Sequence, residues 1–174
     1  MLSPKLHEAL NAQINAEMWS AYLYLSMSVD AEAKGLKGFA NWFYVQFQEE
    51  QDHARILMNY LLSREGRVTL QPVGAVRTEW ASPLEMFRDT LRHEKEVTAM
   101  FANLASIAAE DRDYASSNML AWFVNEQVEE EESAREMIAA CDAVDGNKFG
   151  LYMLDKELAG RTYSLAEPLA STNA

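Results

Sequence analysis

The 174-residue chain predicts an all-α fold: an up-down four-helix bundle with one long crossover between helices two and three, plus a short fifth C-terminal helix. Three observations carry this. Four stretches repeat apolar residues at alternating three- and four-residue steps, the spacing of a single buried helical stripe. Only 7 glycines and 4 prolines are present, too few for the turns of a β-rich fold, and the 49% apolar content excludes a disordered chain. Two pairs of stretches are joined by turns too short for anything but antiparallel neighbours, while the loop between the pairs is long.

The elements follow in order. Helix one is expected over about 4–33, capped by Ser3 with Pro4 at the first helical position, where a missing N–H costs nothing. Gly35 breaks it, and helix two runs over about 36–65 to a stop at Gly66. Helix three opens on Ser82-Pro83-Leu84-Glu85, a capping box with proline at N1, and continues to about Ala109. The Asp111-Arg112-Asp113 turn leads into helix four, about 114–143, which ends before Gly146. A short apolar stretch, about Asn147–Leu158, makes the fifth helix, and the tail from 164 is expected to be loose. Between Gly66 and Ser82 the sequence lacks helical periodicity. Extended, that segment spans up to roughly 55–60 Å, against about 43 Å for a helix of about 29 residues, so it can climb the bundle and set helices two and three parallel. With no internal repeat or low-complexity linker, residues 1–174 read as one domain with its core at about 4–163.

Bulk properties narrow the function classes. A formal charge of −12 and a pI near 4.6 argue against nucleic acid, whose phosphates need lysine and arginine, and suit a surface that gathers cations. No apolar run approaches the length of a membrane span, and the N-terminus lacks the basic and apolar blocks of a signal peptide. One cysteine, Cys141, leaves no internal disulfide and no cysteine metal cluster, and a cytoplasmic location follows as the default.

Each helical stripe is interrupted near its middle. The first reads Leu6, Leu10, Ile14, Glu17, Ala21, Tyr24; the second Phe39, Phe43, Gln46, Glu50, His53, Leu57. The third reads Leu84, Phe87, Leu91, Glu94, Thr98, Phe101; the fourth Leu120, Phe123, Gln127, Glu130, Ala134, Met137. Any one of these polar residues alone is an ordinary solvent-edge or hydrogen-bonded core residue. In alternating up-down geometry, however, all four interruptions fall at one depth. Bare carboxylates there would each cost several kcal/mol, which a pair of divalent cations would cancel. Glu50 and His53, three residues apart, share a helical face and can reach one ion. Glu50 would bridge two ions, Glu17 and His53 completing one and Glu94 and Glu130 the other, with Gln127 as a weak or hydrogen-bonding ligand. Oxygen-rich ligands with one nitrogen suit iron, manganese or zinc. Two such ions in a dry core suit oxidation of Fe(II) by dioxygen or peroxide.

The segments QINAEMWSAYLYLSMS, LKGFANWF with EEQDHA, LLSREGRV and WFVNEQVEEE resemble ferritin, in particular the haem-free ferritins of bacteria and archaea, over about residues 5–163. The resemblance implies iron storage with ferroxidase activity at a diiron centre of Glu17, Glu50, His53, Glu94, Gln127 and Glu130. It implies a third iron site from Glu49, Glu126 and Glu129 with Glu130 shared, and a tyrosine, Tyr24, beside the diiron centre. Read from the residues alone, Glu126 and Glu129 belong to a solvated acidic face, as Glu131 and Glu132 still do, and Tyr24 is equally an ordinary core tyrosine. Trp122 reads as packing. The family also implies a homo-oligomeric shell of 24 subunits, which at −12 each would carry on the order of −290 formal charges. In bacterioferritins a methionine follows the bridging glutamate and holds haem; here that place is Gln51, so no haem is expected. Their second E-x-x-H on helix four is replaced by Gln127-Val128-Glu129-Glu130, and the acidic channel of animal heavy chains by Ser117 and Leu120. Three other readings stay open: a small diiron oxidase or peroxidase that stores nothing, a nucleation subunit without oxidase activity, and an acidic bundle without metal.

Overall fold

The computed structural model describes residues 2–170, and its element order is α1 (Pro4–Ala33), α2 (Lys37–Ser63), α3 (Pro83–Glu110), α4 (Tyr114–Ala143), α5 (Lys148–Leu158) and α6 (Glu167–Ala170). Among the described residues every regular element is a helix. Ser3 caps α1 by accepting from the Leu6 N–H at 3.1 Å, and Ser82 caps α3 by accepting from the Glu85 N–H at 3.2 Å. Asp113 caps α4 through the Ser116 N–H at 3.1 Å while its carboxylate pairs with Arg64, just past the end of α2, at 3.0 Å. That pair ties the end of the first hairpin to the start of α4 in the second.

Cross-helix contacts fix the directions. α1 and α3 run antiparallel, since Lys5 meets Glu110 at 2.8 Å and Ser20 meets His93 at 2.7 Å. α2 and α4 do likewise, with Gln46 opposite Glu130 and Tyr60 opposite Ser116. α2 and α3 are therefore parallel, as the long loop requires. That crossover climbs α1 level by level. The Arg67 N–H donates to His7, the Thr69 N–H to Asn11, the Trp19 indole to the Ala75 carbonyl and the Ser26 hydroxyl to the Arg77 carbonyl. Asp30 and Lys34 hold Trp80 at the top.

Helix two ends earlier than expected, and by another device. It stops at Ser63, the left-handed residue is Glu65 (φ 59°), and Gly66 is needed for space. A Cβ at Gly66 would lie 2.6 Å from Leu61 Cδ1 and 2.9 Å from its carbonyl, which the Gly66 N–H approaches to 2.9 Å. The start of α2 also has no cap of its own. Asp155 on α5 supplies it, accepting from the Gly38 and Phe39 N–H groups at 2.7 and 3.2 Å.

The expectation of a loose tail from 164 fails for 164–170. Leu169 is buried against the lower core, and Asp52 on α2 accepts from the Tyr163 hydroxyl at 2.6 Å and the Ala166 N–H at 3.2 Å. The stretch 164–170, Ser-Leu-Ala-Glu-Pro-Leu-Ala, is too short to show a helical period, so its attachment to a distant carboxylate leaves no local trace; 171–174 lie outside the described residues. No helix of the described residues is long and apolar enough to cross a membrane.

The core divides into two apolar clusters. The lower one centres on Leu6, Leu10, Ile14, Leu57, Phe101 and Phe123; the upper one on Met27, Phe39, Phe43, Trp42, Phe87 and Met137. Each fully buried Leu or Phe contributes roughly 1.5–3 kcal/mol, so the bundle is held from both ends while the band between them is free to be polar.

Candidate metal centre

That band contains Glu17, Glu50, His53, Glu94, Gln127 and Glu130, all buried. Glu17 projects from the middle of α1 and Glu50 and His53 from one face of α2, because i and i+3 lie one above the other on a helix. The three converge. His53 Nδ1 lies 3.4 Å from Glu17 Oε2 and 3.4 Å from Glu50 Oε2. None of these three atoms has a hydrogen-bond partner, although each is sealed from solvent. Three orphaned lone-pair atoms in a dry core are a debt that a cation cancels. Glu17 keeps its other oxygen satisfied by the Gln13 amide, and Trp122 and Phe123 pack edge-on against the imidazole at 5.6 and 5.8 Å, fixing its plane.

Glu94 and Glu130 arrive from α3 and α4, where neutral donors hold them. Glu94 accepts from the Tyr24 hydroxyl and from the Gln127 amide at 3.1 Å, and Glu130 accepts from the Gln46 amide at 2.9 Å. Glu130 also comes within 4.8 Å of His53 and Glu126, a second group with ligand atoms in reach of one ion. Glu126 is half-buried and Glu129 exposed. Glu49 pairs with Arg161 at 2.7 Å, from the segment after α5. The structure thus gathers Glu17, Glu50 and His53 tightly, brings Glu126 and Glu130 to His53, and leaves Glu49 with a different partner. Glu131 accepts from Thr98 and Arg135, apart from this band.

The electrostatics show how strongly the metal-free band resists charge. Burial pushes the Glu50 carboxyl well above the usual range, with His53 opposing and Glu17 and Glu94 adding. Burial and the neighbouring Glu94 push Glu130 up to about 8. For His53, burial disfavours the imidazolium, but the negative charges of Glu50 and Glu17 facing the ring outweigh it and hold it well above its ordinary value. Burial, then the Glu94 charge, raises the Tyr24 phenol, so it remains a donor to Glu94. Burial also raises Glu49 and Glu126. Protons therefore substitute for absent positive charge, and an arriving cation exchanges with them.

Sequence reasoning passed over several contributors. Gln46 stood in the second stripe, visible as a polar interruption, but its partner Glu130 is 84 residues away. Gln13 lies one turn before Glu17, a spacing that could have found it. Arg161 carries no local signal.

Comparison with known proteins accords with this geometry. A family model for the ferritin-like domain matches residues 7–144. The bacterial non-heme ferritin of Staphylococcus aureus is 39% identical over 163 residues, covering 94% of this chain and 98% of its own. The one from Bacteroides fragilis is 41% identical over 165 residues, covering 92% and 100%. Among solved structures, the open pore ferritin of the hyperthermophilic archaeon Archaeoglobus fulgidus superposes with a TM-score of 0.92 at 45% identity, covering 93% of this chain and all of its own. With a match across most of the bundle and relatives of this identity over almost their whole length, the chain belongs to the ferritin-like family.

Proposed function

We propose that the chain is an iron-storage ferritin that binds Fe(II) between Glu17, Glu50, His53, Glu94, Gln127 and Glu130, oxidises it, and deposits ferric mineral inside a 24-subunit shell. The observation that carries this reading is the trio of buried, unpartnered atoms: Glu17 Oε2, Glu50 Oε2 and His53 Nδ1. Two carboxylate oxygens and one imidazole nitrogen form the hard-to-borderline donor set that suits iron. Fe(II) is the substrate. Each ion gives one electron to dioxygen or hydrogen peroxide, and the rise from two to three positive charges is stabilised by carboxylates already present in a low-dielectric band.

The residues have distinct tasks. Glu50, central between α1 and α4, bridges the two ions. Glu17 and His53 complete one position, Glu94 and Glu130 the other. Gln127 orients Glu94, and Gln46 orients Glu130. Tyr24 donates a hydrogen bond to Glu94 and stands where it can supply an electron. A third ion sits with Glu126, Glu129, Glu130 and Glu49. Haem has no part in this reading, since Gln51 offers no thioether. The shell is cytoplasmic, in keeping with one buried, unpaired Cys141.

The test is a pair of variants, Glu17→Ala and His53→Ala, in the assembled protein. Rapid Fe(II) oxidation is lost while sedimentation still reports the shell. An unchanged initial rate refutes the centre, and a sedimenting monomer or dimer of the parent protein refutes storage.

A further inference from the structure

The segment after α5 lies along α2 as a strap fastened at several levels. Asn41 donates to the Leu158 and Arg161 carbonyls at 3.1 and 2.9 Å. At the next residue of α2, the Arg161 guanidinium lies 4.5 Å over the Trp42 ring and donates to the Trp42 carbonyl at 3.1 Å. Its Nη2 donates to Gln46 Oε1 at 2.6 Å and to Glu49 Oε2 at 2.7 Å. Gln46 in turn donates to Glu130 at 2.9 Å. The arginine is three-quarters buried, as is the Glu49 carboxylate.

The proposed third ion would need that same Glu49 carboxylate. Glu126 and Glu130 already approach His53, but Glu49 is turned to a cation the protein itself supplies. A planar, fixed guanidinium that forks between a carboxylate and an amide resists displacement more than a flexible ammonium does. We propose that Arg161 is a positioning residue that acts as an internal counter-cation, holding Glu49 away from the third ion until a metal displaces it. Displacement frees the strap at its central fastening. The third ion therefore binds more weakly than the first two, and its arrival loosens residues 159–163. This rests on the third-ion reading given above.

The experiment uses the assembled full-length protein with Zn(II), a divalent probe that cannot be oxidised, in calorimetric titrations of the parent, Arg161→Ala and Arg161→Lys. Removing the competing cation tightens the third binding step about three- to tenfold in Arg161→Ala, less in Arg161→Lys, and tightens neither of the first two steps, which Arg161 reaches only through Gln46. A strap that only stabilises the fold would lower the melting temperature without this selective shift. Hydrogen exchange on the parent protein supplies a readout that needs no variant: amides of 159–163 lose protection as the third Zn(II) binds. A third step of equal affinity in parent and Arg161→Ala, or unaltered protection in the zinc-saturated parent, overturns the role of Arg161 alone. Absence of any third step in all proteins overturns the third-ion reading and this inference with it.

Discussion

Binding of a divalent cation to the metal-free band releases protons, and Glu130 sets a number. With its carboxyl pushed up to about 8, Glu130 holds about 0.9 of a proton at pH 7 and about 0.1 at pH 9. A ligating carboxylate must give that proton up. Glu50 and His53, both held well above their ordinary values, release theirs in the same direction, and water on the bound ion adds more. The Glu130 share is isolated by difference. Saturating the assembled protein with Zn(II) in unbuffered solution under pH-stat control measures the total, and repeating it with Glu130→Gln removes one titrating group while keeping its shape. The parent protein releases about 0.9 proton per subunit more than the variant at pH 7, and the difference nearly vanishes at pH 9. Equal release at pH 7, or a difference that grows with pH, refutes the argument that burial keeps this carboxyl protonated.

The same shifts set the stability of the metal-free protein. Carboxyls and an imidazole whose folded-state values are raised contribute stability that is present below their unfolded values and lost as pH rises through the folded ones. For Glu130 that window runs from 4.5 to about 8 and corresponds to roughly 4–5 kcal/mol per subunit at most; Glu50 and His53 act with the same sign. Thermal unfolding without metal shifts to lower temperature between pH 5 and 8, and saturating Zn(II) flattens the profile; a flat or rising metal-free profile contradicts this. At the other end of the bundle, Asp155→Ala removes the borrowed cap of α2 and costs about 1–2 kcal/mol in denaturant unfolding, with Asp155→Asn recovering part of it. No loss in Asp155→Ala means that water satisfies the Gly38 and Phe39 amides.

Legibility followed range. The stripes of α1 to α4, their polar interruptions and the Ser3 and Ser82 caps were readable because helical periodicity and capping act within about four residues. Up-down geometry then placed Glu17, Glu50, His53, Glu94 and Glu130 at one depth; the structure buries all five and brings Glu17, Glu50 and His53 together. What escaped depends on partners far along the chain. Asp155 caps α2 from more than 110 residues away, Arg161 meets Glu49 across a similar gap, and Asp52 anchors a tail too short to carry a period of its own. No period encodes such contacts. The way α2 ends was hidden for a different reason: a glycine marks the stop, but Glu65 takes the left-handed conformation and Gly66 makes room for Leu61. The residues proposed for a third ion were suggested only by family likeness, and in the structure Glu49 pairs with Arg161.

None of α1 to α4 contains glycine or proline beyond its first two positions. Such rods have no built-in joint at mid-height, and apolar plugs clamp them above and below. A change in ionic radius, whether from loss of an electron or exchange of one element for another, must then be absorbed by carboxylate rotation rather than by backbone bending. In the function proposed above, the scaffold returns to one shape after each pair of ions has passed through.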